Sequence, residues 1–423
     1  MSGYWPGPWS GEDGGPARLQ IPHGGEALDL QPGDTLDVSS RMAPAATMLV
    51  TRAPGELYLL RHTAGDDAIS FVERIDPTSL ETLGRSPDLA GGPTWPGSIA
   101  VHADGSIVVV FGNHAHRLGP DLSVLATTTL PRQAPYNGFV ILPDGHVVTK
   151  DFAGSRPGRP VAAGARRPSE LLALAPDTLE IVDRCTLAEP SIARLSADGN
   201  DVYVVGDTSL IRVRWDDGLR VDDAFRPRYR TLEGQTFGWD CVIAMGAAWF
   251  LDNGDGSEAY SGTLHGHGLS TAPLRLHRVD LDSGAVSGAE IAPGPGGLVA
   301  NPPVIDSGRA IAVGYDSGNG VLRAFDIAAD GTLAPRWRRD QEHGGHLVLY
   351  PATGELVTGD YNAERSADQV VILDIATGEE RGRADTGSPV QSVLFPAVGF
   401  GRELYLCTFT TVSRVTVRPS GGS

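Results

Sequence analysis

The chain carries the stretch SIAVHADGSIVVV at residues 98–110. Two apolar runs flank an Asp-Gly pair, which favours a tight turn because glycine adopts positive φ without steric cost. An apolar run on each side of a tight turn is typical of a β-hairpin with buried strands. Such hairpins recur at intervals of roughly 40 to 60 residues. They begin at Ala46, Ser98, Gly138, Ile192, Asp240, Pro302, His346 and Ser392.

A second hairpin follows the first in most repeats, as in LLALAPDTLEIVDR at residues 171–184 and VVILDIATGEERGR at 370–383. Each repeat therefore supplies four antiparallel strands. This pattern predicts an all-β fold, a β-propeller of about eight four-stranded blades. Seven blades are the alternative, because the repeats at Ala46 and Ser392 match the pattern least well.

The last repeat ends after VSRVTV at residues 412–417, one strand short of a complete blade. A strand near the N-terminus, within ARLQIPHGGEALDL at residues 17–30, is expected to complete it and so to remove an open sheet edge. We therefore predict one propeller domain over residues 1–423, with flexible ends at 1–15 and 418–423.

Composition narrows the range of functions. The net charge of −18, with no clustered basic stripe, disfavours binding to nucleic acid or to an anionic membrane surface. The N-terminus lacks the pattern of a secretion signal, and no apolar run approaches the ~18 residues of a membrane span. The three cysteines form no close pair, so reduced thiols and a cytoplasmic location are expected. A small-molecule substrate is the expected partner, and the oligomeric state is left open.

Several outer hairpins resemble those of a known group of propellers. The segments DPTSLE at 76–81, DLDSG at 280–284 and DIATGEE at 374–380 are similar to outer hairpins of quinoprotein-type and YVTN-type propellers. The inner hairpins with an Asp-Gly turn resemble those of the propeller lactonase and strictosidine-synthase group. The resemblance covers nearly the whole chain and implies the fold. The tryptophan-docking repeat of the quinoprotein dehydrogenases is not carried regularly across the blades, which disfavours a quinone cofactor.

The order of strands within a blade assigns each loop to one of two faces. Turns between strands one and two, and between three and four, share one end of the channel. Connections between strands two and three, and the crossovers between blades, share the other end, here called the upper face. Ligand sites are expected where loops converge on a rigid scaffold, so the upper face is the predicted functional face.

Ionisable side chains on the upper face are candidates for acid and base chemistry. Lys150 is the only lysine in the chain, and lysine can lose its proton whereas arginine cannot. The alternative is structural, because such aspartates often accept N–H groups from a neighbouring loop and Lys150 can pair with Asp151. The predicted catalytic residues are Tyr136, Lys150, Asp151, Asp240, Asp252 and Asp360.

Aromatic and amide side chains at the same face suit a ligand with ring character. Packing between blades is the alternative role for the aromatic groups. The predicted substrate-binding residues are Trp95, Asn137, Trp239, Asn253, Asn301, Tyr315 and Tyr361.

Two close pairs of histidines are candidates for a metal site, since imidazole is a common ligand of divalent metals. His343 and His346 lie in EHGGHL at a crossover, and His265 and His267 lie in a long glycine-rich loop. The cofactor is otherwise unknown, and a divalent metal is the one that these pairs suggest.

These observations favour an enzyme that acts on a small, partly apolar organic molecule at the channel mouth. A hydrolase, lyase or isomerase using acid/base or metal-assisted chemistry is the leading hypothesis. A propeller that binds a ligand or a protein without catalysis is the alternative. A quinone-dependent oxidoreductase is the third reading, and the fold does not choose among them.

Overall fold

Eight antiparallel sheets form a closed β-propeller in the computed structural model, which describes residues 3–252, 260–268 and 270–420. The prediction of eight four-stranded blades is therefore confirmed. Strands are numbered along the chain from β1 (Thr35–Met42). The first blade comprises β2 (Ala46–Thr51), β3 (Leu57–His62), β4 (Ala68–Ile75) and β5 (Thr82–Arg85), and the additional strand β6 (Leu89–Gly92) pairs with β4. The second blade comprises β7 (Ser98–Val101), β8 (Ile107–Phe111), β9 (His114–Leu118) and β10 (Val124–Thr129).

The next four blades repeat this order from the channel outward. The third and fourth comprise β11 (Tyr136–Ile141), β12 (Val147–Asp151), β13 (Glu170–Leu174), β14 (Ile181–Thr186), β15 (Leu195–Asp198), β16 (Asp201–Val205), β17 (Leu210–Trp215) and β18 (Leu219–Val221). The fifth and sixth comprise β19 (Val242–Ala244), β20 (Ala247–Leu251), β21 (Arg275–Asp280), β22 (Val286–Glu290), β23 (Val304–Asp306), β24 (Ile311–Asp316), β25 (Val321–Ile327) and β26 (Leu333–Asp340).

The last two blades complete the ring. They comprise β27 (Val348–Tyr350), β28 (Glu355–Asn362), β29 (Ala367–Asp374), β30 (Glu380–Asp385), β31 (Ala397–Val398), β32 (Glu403–Cys407) and β33 (Thr411–Arg418), with β1 as the outermost strand of the eighth blade. Two short 3-10 turns lie at Glu12–Gly14 and Ala163–Ala165. Among the described residues, no helix has the length and apolar character needed to cross a bilayer.

Burial follows the layers of each blade. Inner strands such as β8 are buried along their whole length, because each blade packs both of its faces against neighbouring blades. Outermost strands such as β10 alternate between exposed and partly buried positions. Gly105, in the turn of the 98–110 hairpin, has a φ of +88°, as the Asp-Gly pair predicts.

A strand from the N-terminal part of the chain closes the ring, as expected, but this strand lies outside the stretch that was predicted. β1 pairs with β33 in antiparallel register, from Thr35 opposite Arg418 to Met42 opposite Thr411. The prediction that this strand lies within residues 17–30 is wrong. That stretch contains Pro22, which lacks a donor for a sheet ladder, whereas TLDVSSRM alternates in burial as an edge strand should.

Residues 3–21, here called the N-terminal plug, cross the lower end of the channel. Residues 1–15 were predicted to be flexible, yet residues 3–15 are almost all buried among the inner strands. Trp5 donates to the Val101 carbonyl, and the plug accepts inner-strand N–H groups at Trp9, Ser10, Pro16, Ala17 and Gln20. Inner strands have free backbone groups facing the channel, so an extended segment gains hydrogen bonds there that water would otherwise supply.

Candidate functional site

A pocket of about 190 Å³ opens at the upper face, above the plug. It is built by crossovers into the inner strands, by the end of β3, by the insertion after β12 and by the loop after β20. Its principal side chains are His62, Trp95, Arg194, Trp239, Tyr260, Leu264, Asn301, Phe395 and Phe409. Three of the predicted binding residues, Trp95, Trp239 and Asn301, line this pocket.

Stacking holds the pocket walls in place. The ring of Trp95 stacks on Phe152 with centroids 4.3 Å apart. The guanidinium of Arg194 lies 4.3 Å from the ring centre of Phe395, a cation–π geometry. The Tyr260 hydroxyl donates to the Gln391 carbonyl at 2.8 Å, which ties the loop after β20 to the crossover into blade eight. The walls are therefore rigid and aromatic, as suits a flat, apolar ligand.

His62 is the one histidine of this pocket, and its hydrogen bonds define its tautomer. Its Nδ1 lies 2.6 Å from the Thr63 carbonyl oxygen, which can only accept, so Nδ1 carries a proton. Its ring stacks on Phe111 at 4.8 Å, and Nε2 is buried with no partner among the described residues. Burial lowers the pKa of His62, against the opposing effect of the Thr63 hydrogen bond. His62 is therefore a neutral base with an unused lone pair.

Trp239 contributes the second unused polar atom. Its ring is buried, and Nε1 has no hydrogen-bond partner in the described part of the chain. Indole N–H groups donate only, and buried ones usually have an acceptor. An acceptor on a bound molecule would satisfy this donor.

Beneath the pocket lies a buried ionic group, here called the channel cluster. It consists of Glu12, Asp13, Arg18, Arg194, Asp240 and His346. Arg18 of the plug donates to Asp13 at 2.8 Å and to Glu12, and lies 3.9 Å from Asp240. His346 Nδ1 lies 2.5 Å from the other oxygen of Asp13. The cluster ties the plug to the inner strands and forms a charged floor beneath the pocket.

Two carboxylates of the channel cluster have opposite pKa shifts. Burial opposes ionisation of Asp13, but His346 and Arg18 together bring its pKa below the usual value. Burial raises the pKa of Asp240, although Arg18 and Arg194 attract its charge. Asp240 Oδ1 accepts the Arg194 backbone N–H at 2.6 Å, and Oδ2 has no hydrogen bond in the described chain. Asp240, a predicted catalytic residue, therefore lies in the channel cluster below the pocket.

The other predicted carboxylates hold loops together. Asp151 accepts the Glu170 N–H at 2.7 Å and pairs with Arg132 at 2.9 Å. Asp252 accepts the Arg275 N–H at 3.1 Å and contacts His277 Nε2 at 2.8 Å. Asp360 accepts the N–H groups of Glu342 and Tyr361 and pairs with Arg383. None of the three lines the pocket. Each accepts an N–H group from a neighbouring loop, which is the structural role that was the alternative to catalysis.

Lys150 is fully buried between blades three and four. Its Nζ donates to the carbonyl oxygens of Asp151 at 2.8 Å and Ser191 at 3.0 Å. Burial lowers its pKa to about 8, against the attraction of Asp151 and Asp240. Tyr136, at the start of the same blade, is also buried, and burial raises the pKa of its hydroxyl. Both lie outside the pocket lining. The hydrogen bonds of Lys150 connect blade three to the crossover into blade four, which is a structural role.

The low pKa of Lys150 predicts that stability rises with pH. Folded protein releases this proton near pH 8, whereas the unfolded chain keeps it to about 10.5. Between these values the unfolded state binds more protons, so the free energy of unfolding should increase, by at most roughly 3 kcal/mol. Urea unfolding from pH 7.5 to 9.5 should show the rise in wild-type protein and not in Lys150→Met. Parallel pH profiles for the two proteins would contradict it.

The remaining predicted binding residues lie in other places. Asn137 is buried and donates to the Ile192 carbonyl at 3.1 Å, beside the pocket. Tyr315 packs its ring edge-on to His343 at 4.5 Å inside the inner-strand core. Tyr361 lines a separate outer groove and donates to the Pro389 carbonyl. Asn253 lies outside the described residues.

The four predicted metal ligands do not converge. His343 Nδ1 accepts the Gly359 N–H, and burial lowers the pKa of this ring to about 4. His346 contacts Asp13, and His265 is half exposed and 3.6 Å from Glu342. His267 lies in the same loop as His265. Within residues 3–252, 260–268 and 270–420, no three side chains of His, Cys, Asp or Glu group as metal ligands would.

The residues predicted for the site did not include Arg194, His62 or the N-terminal plug. Arg194 had a signal in SIARLSADG, where a charged residue directly precedes the first, innermost strand of a repeat. The plug also had one, because Tyr4, Trp5 and Trp9 give residues 3–21 too much aromatic character for a solvated tail. No sequence pattern marks Phe395 or Phe409 as pocket residues, because their distance from the channel depends on how far each loop extends inward.

Comparison with known proteins supports the fold and nothing finer. No family model matches the chain, and no curated protein matches it in sequence. A solved quinohemoprotein alcohol dehydrogenase from Comamonas testosteroni is similar in structure, with a TM-score of 0.63, 12% identity, and coverage of 99% of this chain and 81% of that one. BamB from Moraxella catarrhalis aligns with a TM-score of 0.56, 12% identity, and coverage of 90% and 99% respectively.

The computationally designed protein Ika8 is also similar, with a TM-score of 0.55, 11% identity, and coverage of 88% of this chain and 96% of that one. An alcohol dehydrogenase, BamB and a designed protein thus share one architecture, which shows how little of a propeller's function its fold determines. The chain is an eight-bladed propeller, and the resemblance seen in its outer hairpins is confirmed as one of fold.

Proposed function

We propose that this protein is an enzyme that acts on a small, ring-bearing organic molecule in the upper-face pocket. The observation that carries the proposal is the combination of aromatic walls with one unused base, His62 Nε2. Trp95 and Trp239 supply flat apolar surface, and His62 supplies a lone pair that no group of the described residues occupies. A neutral imidazole can take a proton from a bound molecule or from a water beside it.

The surroundings of His62 suit such a role. Its carbonyl partner holds the proton on Nδ1, and the stacked Phe111 fixes the plane of the ring. The plug occupies the lower channel, so the pocket exchanges with solvent through the upper mouth. Water-poor surroundings strengthen hydrogen bonds to a bound ligand. Binding without catalysis is the alternative, and turnover distinguishes the two.

Removing one aromatic wall should weaken ligand binding. We expect Trp95→Ala to bind acetophenone, a small ring compound, at least about tenfold less tightly, a loss of roughly 1.4 kcal/mol, because the stacking surface is lost. The measurement is ligand-observed NMR titration. Trp337→Ala is the matched control, since Trp337 lies on outer strand β26 with Nε1 donating to the Ile375 carbonyl. Equal affinity in the two variants would place the binding site elsewhere.

A further inference from the structure

We infer that the ligand of this pocket is an uncharged ring compound carrying an oxygen acceptor, which the indole N–H of Trp239 and the guanidinium of Arg194 bind. The inference rests on the proposed function and specifies its substrate class. It follows from the hydrogen bonds that the pocket leaves unmade and from the charges beneath it.

Two side chains of the described pocket lining have N–H groups that make no hydrogen bond. Trp239 Nε1 is buried and has no partner among the described residues. Arg194 donates from Nε to the Asn137 carbonyl and from Nη2 to the Pro96 carbonyl. Its Nη1 lies 4.0 Å from Asp240 Oδ2 and makes no hydrogen bond in the described structure. Both side chains line the pocket. An oxygen with two lone pairs on the ligand would complete them, whereas a pure hydrocarbon would leave Trp239 unpaired.

The charge beneath the pocket disfavours an anionic ligand. Arg194 lies 3.6 Å from Glu12 and 4.0 Å from Asp240, so its charge is already opposed. The channel cluster holds three carboxyl groups against the two guanidinium groups of Arg18 and Arg194 and the imidazole of His346, which contacts Asp13. A carboxylate on the ligand would add a further negative charge to a buried floor, in a chain whose net charge is −18.

A cationic ligand is disfavoured for a different reason. Aromatic walls attract cations, but Arg194 already occupies the face of Phe395 and itself lines the pocket. A second cation would be repelled at short range in water-poor surroundings. The neutral His62 ring, also in the pocket lining, adds no charge of either sign. The pocket therefore selects an uncharged molecule with a carbonyl-type oxygen.

A set of four compounds of matched size tests the inference. The probes are acetophenone, ethylbenzene, benzoate and benzylammonium, titrated against the full chain by ligand-observed NMR at pH 7.5. We expect acetophenone to bind at least tenfold more tightly than each of the other three. Trp239→Phe should lower the affinity for acetophenone to that for ethylbenzene and leave ethylbenzene unchanged. Circular dichroism and the melting temperature of the variant serve as folding controls.

The outcomes separate this inference from the proposed function. Ethylbenzene binding as tightly as acetophenone, with Trp95-dependent affinity, would overturn the inference and leave the pocket assigned. Tightest binding of benzoate or benzylammonium would overturn it in favour of an ionic ligand. No Trp95-dependent binding of any probe would overturn the proposed function and the inference together.

Discussion

Replacing Arg18 with Ala should destabilise the protein by about 3–5 kcal/mol, the typical cost of removing one partner from a buried ion pair. Arg18 is almost completely buried and donates to Asp13 and Glu12, with Asp240 3.9 Å away. Its loss would leave three carboxyl groups in the channel with Arg194 as the one remaining guanidinium of the channel cluster. Arg18 Nε also donates to the Leu195 carbonyl at 2.7 Å, so the plug would lose one of its attachments to the inner strands.

Chemical unfolding followed by tryptophan fluorescence measures this effect. Arg365→Ala is the matched control, because Arg365 makes two hydrogen bonds to Asp385 at 2.8 and 3.0 Å on the exposed surface. The control should unfold at the wild-type denaturant concentration, since exposed pairs contribute little. If Arg18→Ala and the control unfold together, the ion pairs of Arg18 do not contribute to the stability of the ring.

Replacing His62 with Gln should lower turnover by about 10²- to 10⁴-fold, the range for loss of a general base. Gln retains size and polarity but cannot take the proton. The assay is a screen of neutral aromatic carbonyl compounds by NMR in D₂O, which reports both bond cleavage and exchange of carbon-bound protons with solvent. We expect at least one of them to react with the wild-type protein.

The pH profile and a matched variant isolate the role of His62. Burial lowers the pKa of His62 from its usual value, so the neutral base should predominate at pH 7.5 and activity should fall as the pH is lowered through the folded-state pKa. His146→Gln should keep full turnover, because His146 lies in the turn between β11 and β12, at the lower end of the channel. Its ring packs on Trp215 with centroids 4.6 Å apart. Ligand binding without turnover of any compound would establish the non-catalytic alternative.

The hydrogen-bond partners of the predicted catalytic carboxylates could not be predicted from the sequence. Asp151, Asp252 and Asp360 follow second strands, as a catalytic ring would require, yet each meets a loop N–H within 3.1 Å. Whether a carboxylate meets such a donor depends on the path of a loop many residues away. Strand alternation could place these groups at the upper face but could not identify their partners.

Local patterns alone determined the repeat, the four-stranded blade and the assignment of loops to two faces, because alternation and turn chemistry act over a few residues. Trp95, Trp239 and Asn301 were placed at the correct end of the channel on that basis. Tertiary structure alone decided that the plug fills the channel, that Arg194 and His62 line the pocket, and that Lys150 crosslinks two blades. These features join residues such as Asp13 and His346, 333 positions apart. Their proximity follows from ring closure, which no local pattern encodes.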